Sequence, residues 1–304
     1  MSNLELHCER DCEILDRGNF IEAVVAPKEK DLGGFSVRRL LPTKARRMVG
    51  PWVFFDHMGP AEFGAGPGIN VRPHPHIGIA TVTYLFTGEI LHRDSLGSCQ
   101  PIRPGDINLM VAGRGIVHSE RERPECTTTT RTLDGLQLWL ALPEDQESIA
   151  PAFYHYPSAQ IPKTVVNGVP VRIMMGSAYQ QHSPVKLHSQ TLYLEAQMTA
   201  GQQLPLPDVA ERAVYVVNGE LQLGDTVIPQ HSMAFIKQGA ELSISATIDT
   251  RLAVIGGETM SPRYMEWNFV SSDKAKLEQA RLDWQQGRFD KVPGDEDEFI
   301  PFPG

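Results

Sequence analysis

The sequence predicts an all-β protein: two related β domains in tandem, followed by one C-terminal helix and an extended acidic tail. Three observations carry that expectation. Short alternating segments rich in Val, Ile, Tyr and Thr recur along most of the 304 residues, punctuated by Gly, Pro, Asn and Asp. One stretch, "TVTYLFTGEILH" (81–92), returns as "RAVYVVNGELQL" (212–223), with Gly88 over Gly219 and Glu89 over Glu220. A single segment, "SDKAKLEQARLDWQQGRF" (272–289), breaks the pattern with helical spacing.

In chain order the strand segments are "FSVRRLL", "GIATVTYLFTGE", "INLMVAG", "LQLWLALP", "VRIMMG", "TLYLEAQM", "RAVYVVNGELQLGDTVI" and "SMAFIKQG". Their period of two suits the strands of a sandwich or barrel. Gln137 and Trp139 alternate with Leu136, Leu138 and Leu140, so that strand is buried on at least one face. Pro151, Pro157, Pro162, Pro170 and Pro184 interrupt the pattern and place the domain boundary within 145–190. The expected division is 1–150, 151–270, and a helix with an acidic tail over 271–304. Leu277, Ala280, Arg281 and Trp284 share one helical face, and Gly287 supplies a stop. Residues 290–298 hold five acids and one lysine, which reads as a solvated tail.

Composition narrows the function classes. Hydrophobic residues make up 41% and charged residues 21%, and no apolar run is long enough to span a membrane. The opening "MSNLELHCERDCEI" carries Glu5, Glu9, Asp11 and Glu13 where a secretory signal needs a basic start and an apolar block. A cytoplasmic monomer away from membranes is therefore expected. A net charge of −9 argues against binding nucleic acid directly. Cys8, Cys12, Cys99 and Cys126 include one close pair, spaced CxxxC, and read as free thiols rather than a zinc site or a disulfide.

Chemistry concentrates in "VRPHPHIGIATVTYLFTGE" (71–89). His74 and His76 are i and i+2, so on an extended strand both rings look to one face. Pro73 and Pro75 restrict the backbone around His74 before anything binds. A second i, i+2 pair, His118 and Glu120, follows in "PGDINLMVAGRGIVHSERE". Either pair alone fits ordinary hydrogen-bonded core residues. Together, on facing strands inside a barrel, they aim three imidazoles and one carboxylate at a point.

In the repeat, His74 falls on Pro205 and His76 on Pro207, so one domain alone holds such a site, and one metal ion per chain is expected. Asp56 and His57 in "FFDHMGP" read either as support behind the site or as a structural block. His92 and Arg93 are expected at a strand end, and His155, His182, His188 and His231 have no partner at ligand spacing.

The stretches "RPHPHIGIATVTYLFTGEILHRDSLGS", "PGDINLMVAGRGIVHSE", "PWVFFDHMGP", "LQLWLALP" and "VPGDEDEFIPFPG" resemble the pirins of the cupin superfamily, from about residue 35 to the end. The resemblance implies two tandem cupin barrels with metal in the N-terminal one only. Carried over residue by residue, it puts the pirin ligands on His74, His76, His118 and Glu120. The general cupin pattern expects a carboxylate shortly after the His-x-His pair, where this chain has Ala80 and Thr81. Glu120 is then the single anionic ligand.

Three neutral imidazoles and a carboxylate satisfy a divalent first-row ion and leave two positions open in an octahedron, whereas zinc with four protein ligands would close into a structural site. Zinc, nickel, manganese and copper all suit the donors. The resemblance favours iron(II). It also implies a candidate activity, quercetin 2,3-dioxygenase-like oxidation of a flavonol by dioxygen with release of carbon monoxide, in which Glu120 is ligand or catalytic base. The alternative it implies is a non-enzymatic metal-binding regulator acting through a protein partner.

Overall fold

The computed structural model describes residues 12–13, 20–31, 35–238 and 242–303. Alternation builds two pairs of sheets. In the first barrel a seven-stranded antiparallel sheet runs in the spatial order Ala152–Tyr156, Ile107–Val111, Ile79–Thr87, Arg131–Ala141, Trp52–Phe63, Ser36–Leu41, Lys28–Asp31. A four-stranded sheet, Asn70–His76, Ile116–Arg121, Ile90–Asp94, Cys99–Ile102, packs against it. Val37, Met58 and Leu85 from the first meet Ile90 and Ile102 from the second.

The second barrel repeats the plan. An eight-stranded sheet faces a four-stranded one, and Leu204, Leu221, Leu223, Ile228 and Ile244 fill the space between them. Repeat-related strands hold corresponding places, and the glycines that end them take the same left-handed conformation, φ +92° at Gly88 and +89° at Gly219. A side chain at either would run into backbone or side-chain oxygen, at Thr132 and Thr250 respectively.

The two large sheets pack back to back. Trp52, Phe55, Leu136, Leu138, Tyr193, Tyr215 and Phe235 form one cluster across the domains. Trp52 donates its indole N–H to the carbonyls of Leu192 and Gly256, both at 3.1 Å, which satisfies the polar atom of a fully buried ring. Arg131–Ala141 is consequently buried on both faces, with Leu136 and Leu138 toward the second domain and Gln137 and Trp139 toward the interior of the first.

Two segments cross the expected 150/151 division. Ile21–Val25 pairs with Met233–Ile236 in the second domain's large sheet, and Ala152–Tyr156 pairs with Ile107–Val111 in the first. Pattern alone gives a strand its face but not its sheet.

The helix spans Lys274–Gln285, shorter than 272–289 at both ends. Asp273 caps its start by accepting from Ala275 N–H at 2.9 Å, and Gly287 past its end has φ +66°. Leu277 and Ala280 bury against Ile77 and Phe269, while Arg281 and Trp284 are half-buried.

The tail is solvated along four of its five acids, which are exposed, but it is also docked: Val292 is 1% exposed, Phe302 packs on Phe269 and Trp267, and Asp295 accepts from Nε and Nη2 of Arg121 at 2.6 and 2.7 Å. A count of charges misses the apolar residues set among the acids, and these supply the anchor. Cys8 lies outside the described residues, as does the side chain of Cys12; Cys99 and Cys126 are free thiols. No helix among the described residues is long and apolar enough to cross a membrane.

Candidate metal centre

Asn70–His76 and Ile116–Arg121 are neighbours, and the register sets His118 directly opposite His74 and Ile116 opposite His76. The three rings His74, His76 and His118 turn into the barrel, where their closest ligand nitrogens all lie within 4.8 Å of one another. Between His118 and Glu120 the ladder slips: Glu120 pairs with Val71, so the single residue Ser119 stands against Arg72 and Pro73. Proline has no N–H to give a ladder, which makes this the natural place for a bulge.

Hydrogen bonds fix which nitrogen each ring presents. His74 Nδ1 donates to the Arg72 carbonyl at 2.9 Å, and His76 Nδ1 to the Asn268 carbonyl at 3.2 Å. Asn268 is brought there by the backbone bridge of Ile77 to Phe269. Gly78 permits that approach, since a side chain at its φ of +70° would run into the Val270 carbonyl.

His118 Nδ1 faces His92 Nδ1 at 3.4 Å, and His92 Nε2 donates to the Asp94 carboxylate at 3.0 Å. With His92 neutral and its proton on Nε2, its Nδ1 accepts from His118. The network thus leaves all three Nε2 atoms as bare lone pairs.

His76 Nε2 and His118 Nε2 then stand 3.1 Å apart with their protons committed elsewhere. In that tautomer neither atom has a hydrogen to give, so the contact is one between two acceptors. Burial also holds these rings neutral, with His74 lowered to about 4 and His76 and His118 well below the usual imidazole value. Buried acceptors that face one another without a donor fit a bound cation, so the residues present suit a divalent metal.

Glu120 lies outside the three-imidazole group but lines the same cavity. It is 8% exposed, its Oε1 has no hydrogen-bond partner, and burial pushes its carboxyl up to about 7. The cavity encloses about 890 Å³, within the range of small-molecule sites. Trp139 forms part of its wall, edge-on to His76 at 5.0 Å and stacked on Phe54 at 3.9 Å; Arg39 lies over the far side of Phe54 at 4.4 Å.

The remaining sequence candidates divide. Asp56 lines the cavity and takes both ends of Arg39 at 2.9 and 2.8 Å. Its neighbour His57 points the other way, bonded to Tyr215 at 2.6 Å and Asp134 at 2.8 Å. His155, His182, His188 and His231 do not join the cluster. His92 does not end a strand: it sits inside Ile90–Asp94, 3% exposed, behind His118. His92 and Asp94 are themselves an i, i+2 pair, so the signal that found the other two pairs was available here.

Residues 34–140 match the sequence profile of Pirin, and residues 193–290 that of the Pirin C-terminal cupin domain. The chain belongs to the pirin family. A Pirin-like protein of Caulobacter vibrioides is 42% identical to this pirin over 93% of this chain and 99% of the relative. The crystal structure of a quercetin 2,3-dioxygenase from Acinetobacter baumannii superposes with a TM-score of 0.86 at 32% identity, over 92% of this chain and 94% of that one. A bacterial pirin from Escherichia coli in complex with nickel(II) shares the fold, with a TM-score of 0.61 at 20% identity over 77% and 96% of the two chains.

Proposed function

We propose that this pirin is a metal-dependent dioxygenase that opens the central ring of flavonols such as quercetin, with iron(II) on His74, His76 and His118 and with Glu120 as ligand or base. The convergence of three bare imidazole nitrogens on one deep, aromatic-walled cavity carries the reading. Likeness to a protein named quercetin 2,3-dioxygenase supports it. A divalent ion held by His74, His76 and His118 would supply Lewis acidity that makes a substrate hydroxyl more acidic.

The chain's own residues do the rest. Trp139 and Phe54, stacked on one another, line the cavity with apolar aromatic surface that suits a planar polycyclic substrate packed beside them. Glu120 Oε1, buried and unpartnered, is a ready acceptor for the proton of a flavonol 3-hydroxyl. Burial of the imidazoles keeps bulk water from competing for the centre. One flavonol and one dioxygen then yield the ring-opened ester and carbon monoxide. We place the protein in the cytoplasm, where free thiols such as Cys99 and Cys126 persist.

The test is to load apo-protein with iron(II) under nitrogen, add quercetin and then air, and follow flavonol absorbance together with carbon monoxide. Metal-dependent bleaching with carbon monoxide is expected. If iron-, nickel-, copper- and manganese-loaded samples all leave quercetin intact, the enzyme reading fails and the partner-binding regulator takes its place.

A further inference from the structure

The cavity has two chemically different ends. At the buried end stand His74, His76, His118 and Glu120, each 8% exposed or less. At the open end the lining residues include Lys28, Lys30, Arg39, Lys44 and Arg47, against two acids, Asp31 and Asp56. Asp56 is taken up by Arg39. That is a local excess of positive charge in a chain whose net charge is −9.

These cations come from two separate segments. Lys28 and Lys30 lie on the edge strand Lys28–Asp31, and Lys44 and Arg47 on the loop after Ser36–Leu41. Lys30, Lys44 and Arg47 are exposed, so they form the mouth rather than the floor. Between the two ends runs the wall already described, from His76 through Trp139 and Phe54 to Arg39.

A small neutral ligand held at the metal needs no cationic mouth. A longer planar one with a negative terminus uses all three zones: oxygen donors at the histidines, an apolar ring system along Trp139 and Phe54, and an anion among the cations. The mouth also raises the local concentration of such a substrate before contact.

We infer that the cavity selects aromatic substrates bearing an anionic group, such as a sulfonate, sulfate or carboxylate, at the end remote from the metal, with Lys30 and Arg47 as principal contacts. This rests on the proposed flavonol chemistry and specifies its substrate class. Lys30 comes from the edge strand and Arg47 from the loop, both exposed at the mouth, so an incoming anion meets charge from two segments. The attraction is charge-based and partly exposed, so it weakens with salt.

The experiment measures binding rather than turnover. Iron(II)-loaded protein under nitrogen is titrated with quercetin and with quercetin 5′-sulfonate at low and high salt, following tryptophan fluorescence. The sulfonate is expected to bind about tenfold tighter than quercetin at low salt, with the gap closing as salt rises. In the Lys30→Glu, Arg47→Glu double variant the affinity ratio should fall to one or below, and the Gln double variant should lie between. Lys163→Glu, on a remote edge strand, is the control that leaves the ratio alone.

Equal affinities at every salt concentration, or a ratio that the double variant leaves unchanged, overturn the inference and leave the flavonol reading standing. If neither compound binds, the flavonol reading fails and takes this inference with it.

Discussion

His118 and His92 meet Nδ1 to Nδ1 at 3.4 Å, which makes the protonation of one ring the business of the other. Asp94 decides it. Its Oδ2 accepts the hydrogen bond from His92 Nε2–H while its Oδ1 accepts from the backbone N–H groups of Leu96 and Ser98 at 2.9 and 3.0 Å. Burial alone would raise this carboxyl, but the bonds from His92 and Ser98 hold it below the usual range.

Asp94→Asn tests the relay. The amide can keep its oxygen on Leu96 and Ser98 while its NH₂ turns to His92, which must then accept at Nε2 and donate from Nδ1. His118 is pushed to the other tautomer, with a proton on the nitrogen meant for metal. Metal affinity should fall about 10–100-fold with the fold intact, as competition with a chelating dye would measure. Unchanged affinity would show that the pair of rings does not set the ligand nitrogen.

Metal stoichiometry follows from the two interiors. The second barrel's interior is filled by Leu204, Leu221, Leu223 and Ile244, with Pro205 and Pro207 at the positions of His74 and His76, and an apolar lining cannot replace an ion's water. One tight ion per chain is expected by elemental analysis after chelator washing, and none in a His74→Ala, His76→Ala double variant. Two ions in wild type, or one retained in the variant, would contradict the assignment.

How much of this was legible follows from how locally each feature is encoded. The i, i+2 spacing of His74 and His76 guarantees a shared face on any extended strand, and the HPH and GRGIVHSE stretches carried the family. Spacing alone could not show that a bulge falls between His118 and Glu120, because Pro73 on the neighbouring strand creates it. Nor could it show that His76 is oriented by Asn268, far along the chain. His92 and Asp94 share the same i, i+2 spacing, but the turn at Gly88 close before them hides, in the sequence, the start of a new strand, Ile90–Asp94. The tail's docking depends on Arg121 and the Trp267 and Phe269 rings being in place to receive it, and such complementarity has no period to read.

The tail should let go in acid. Burial would raise Asp295, but the bonds and charge of Arg121 overcome that and hold it below the ordinary carboxylate range. A depressed folded pKa contributes stability above the unfolded value of about 3.9, and the contribution is lost as pH falls through the folded value. Trp284, whose indole N–H is held by the Ile300 carbonyl at 3.0 Å, reports the release by fluorescence. Below about pH 4 the tail signal should change in wild type, whereas Asp295→Asn should have lost that acid step. At neutral pH that variant should be weakened by about 1 kcal/mol or less, since the pair is partly exposed. An identical acid profile in both proteins would mean that Arg121–Asp295 does not hold the tail.

Glu120→Gln separates two roles that one carboxylate can play. The substitution keeps size and an oxygen donor but removes both the negative charge and the basic site, in a side chain whose Oε1 now has no partner. Three neutral imidazoles leave a divalent charge uncompensated, and Glu120 is the only anion among the proposed ligands, so metal retention should weaken. At saturating metal, flavonol turnover should still fall by about 10²–10⁴-fold, the usual cost of losing a general base. His188→Gln, altering a ring bonded to Gln146 and outside the cluster, should change neither. Loss of turnover with wild-type retention would make Glu120 a base and not a ligand. Wild-type values for both would remove it from the site and leave a centre of three histidines alone.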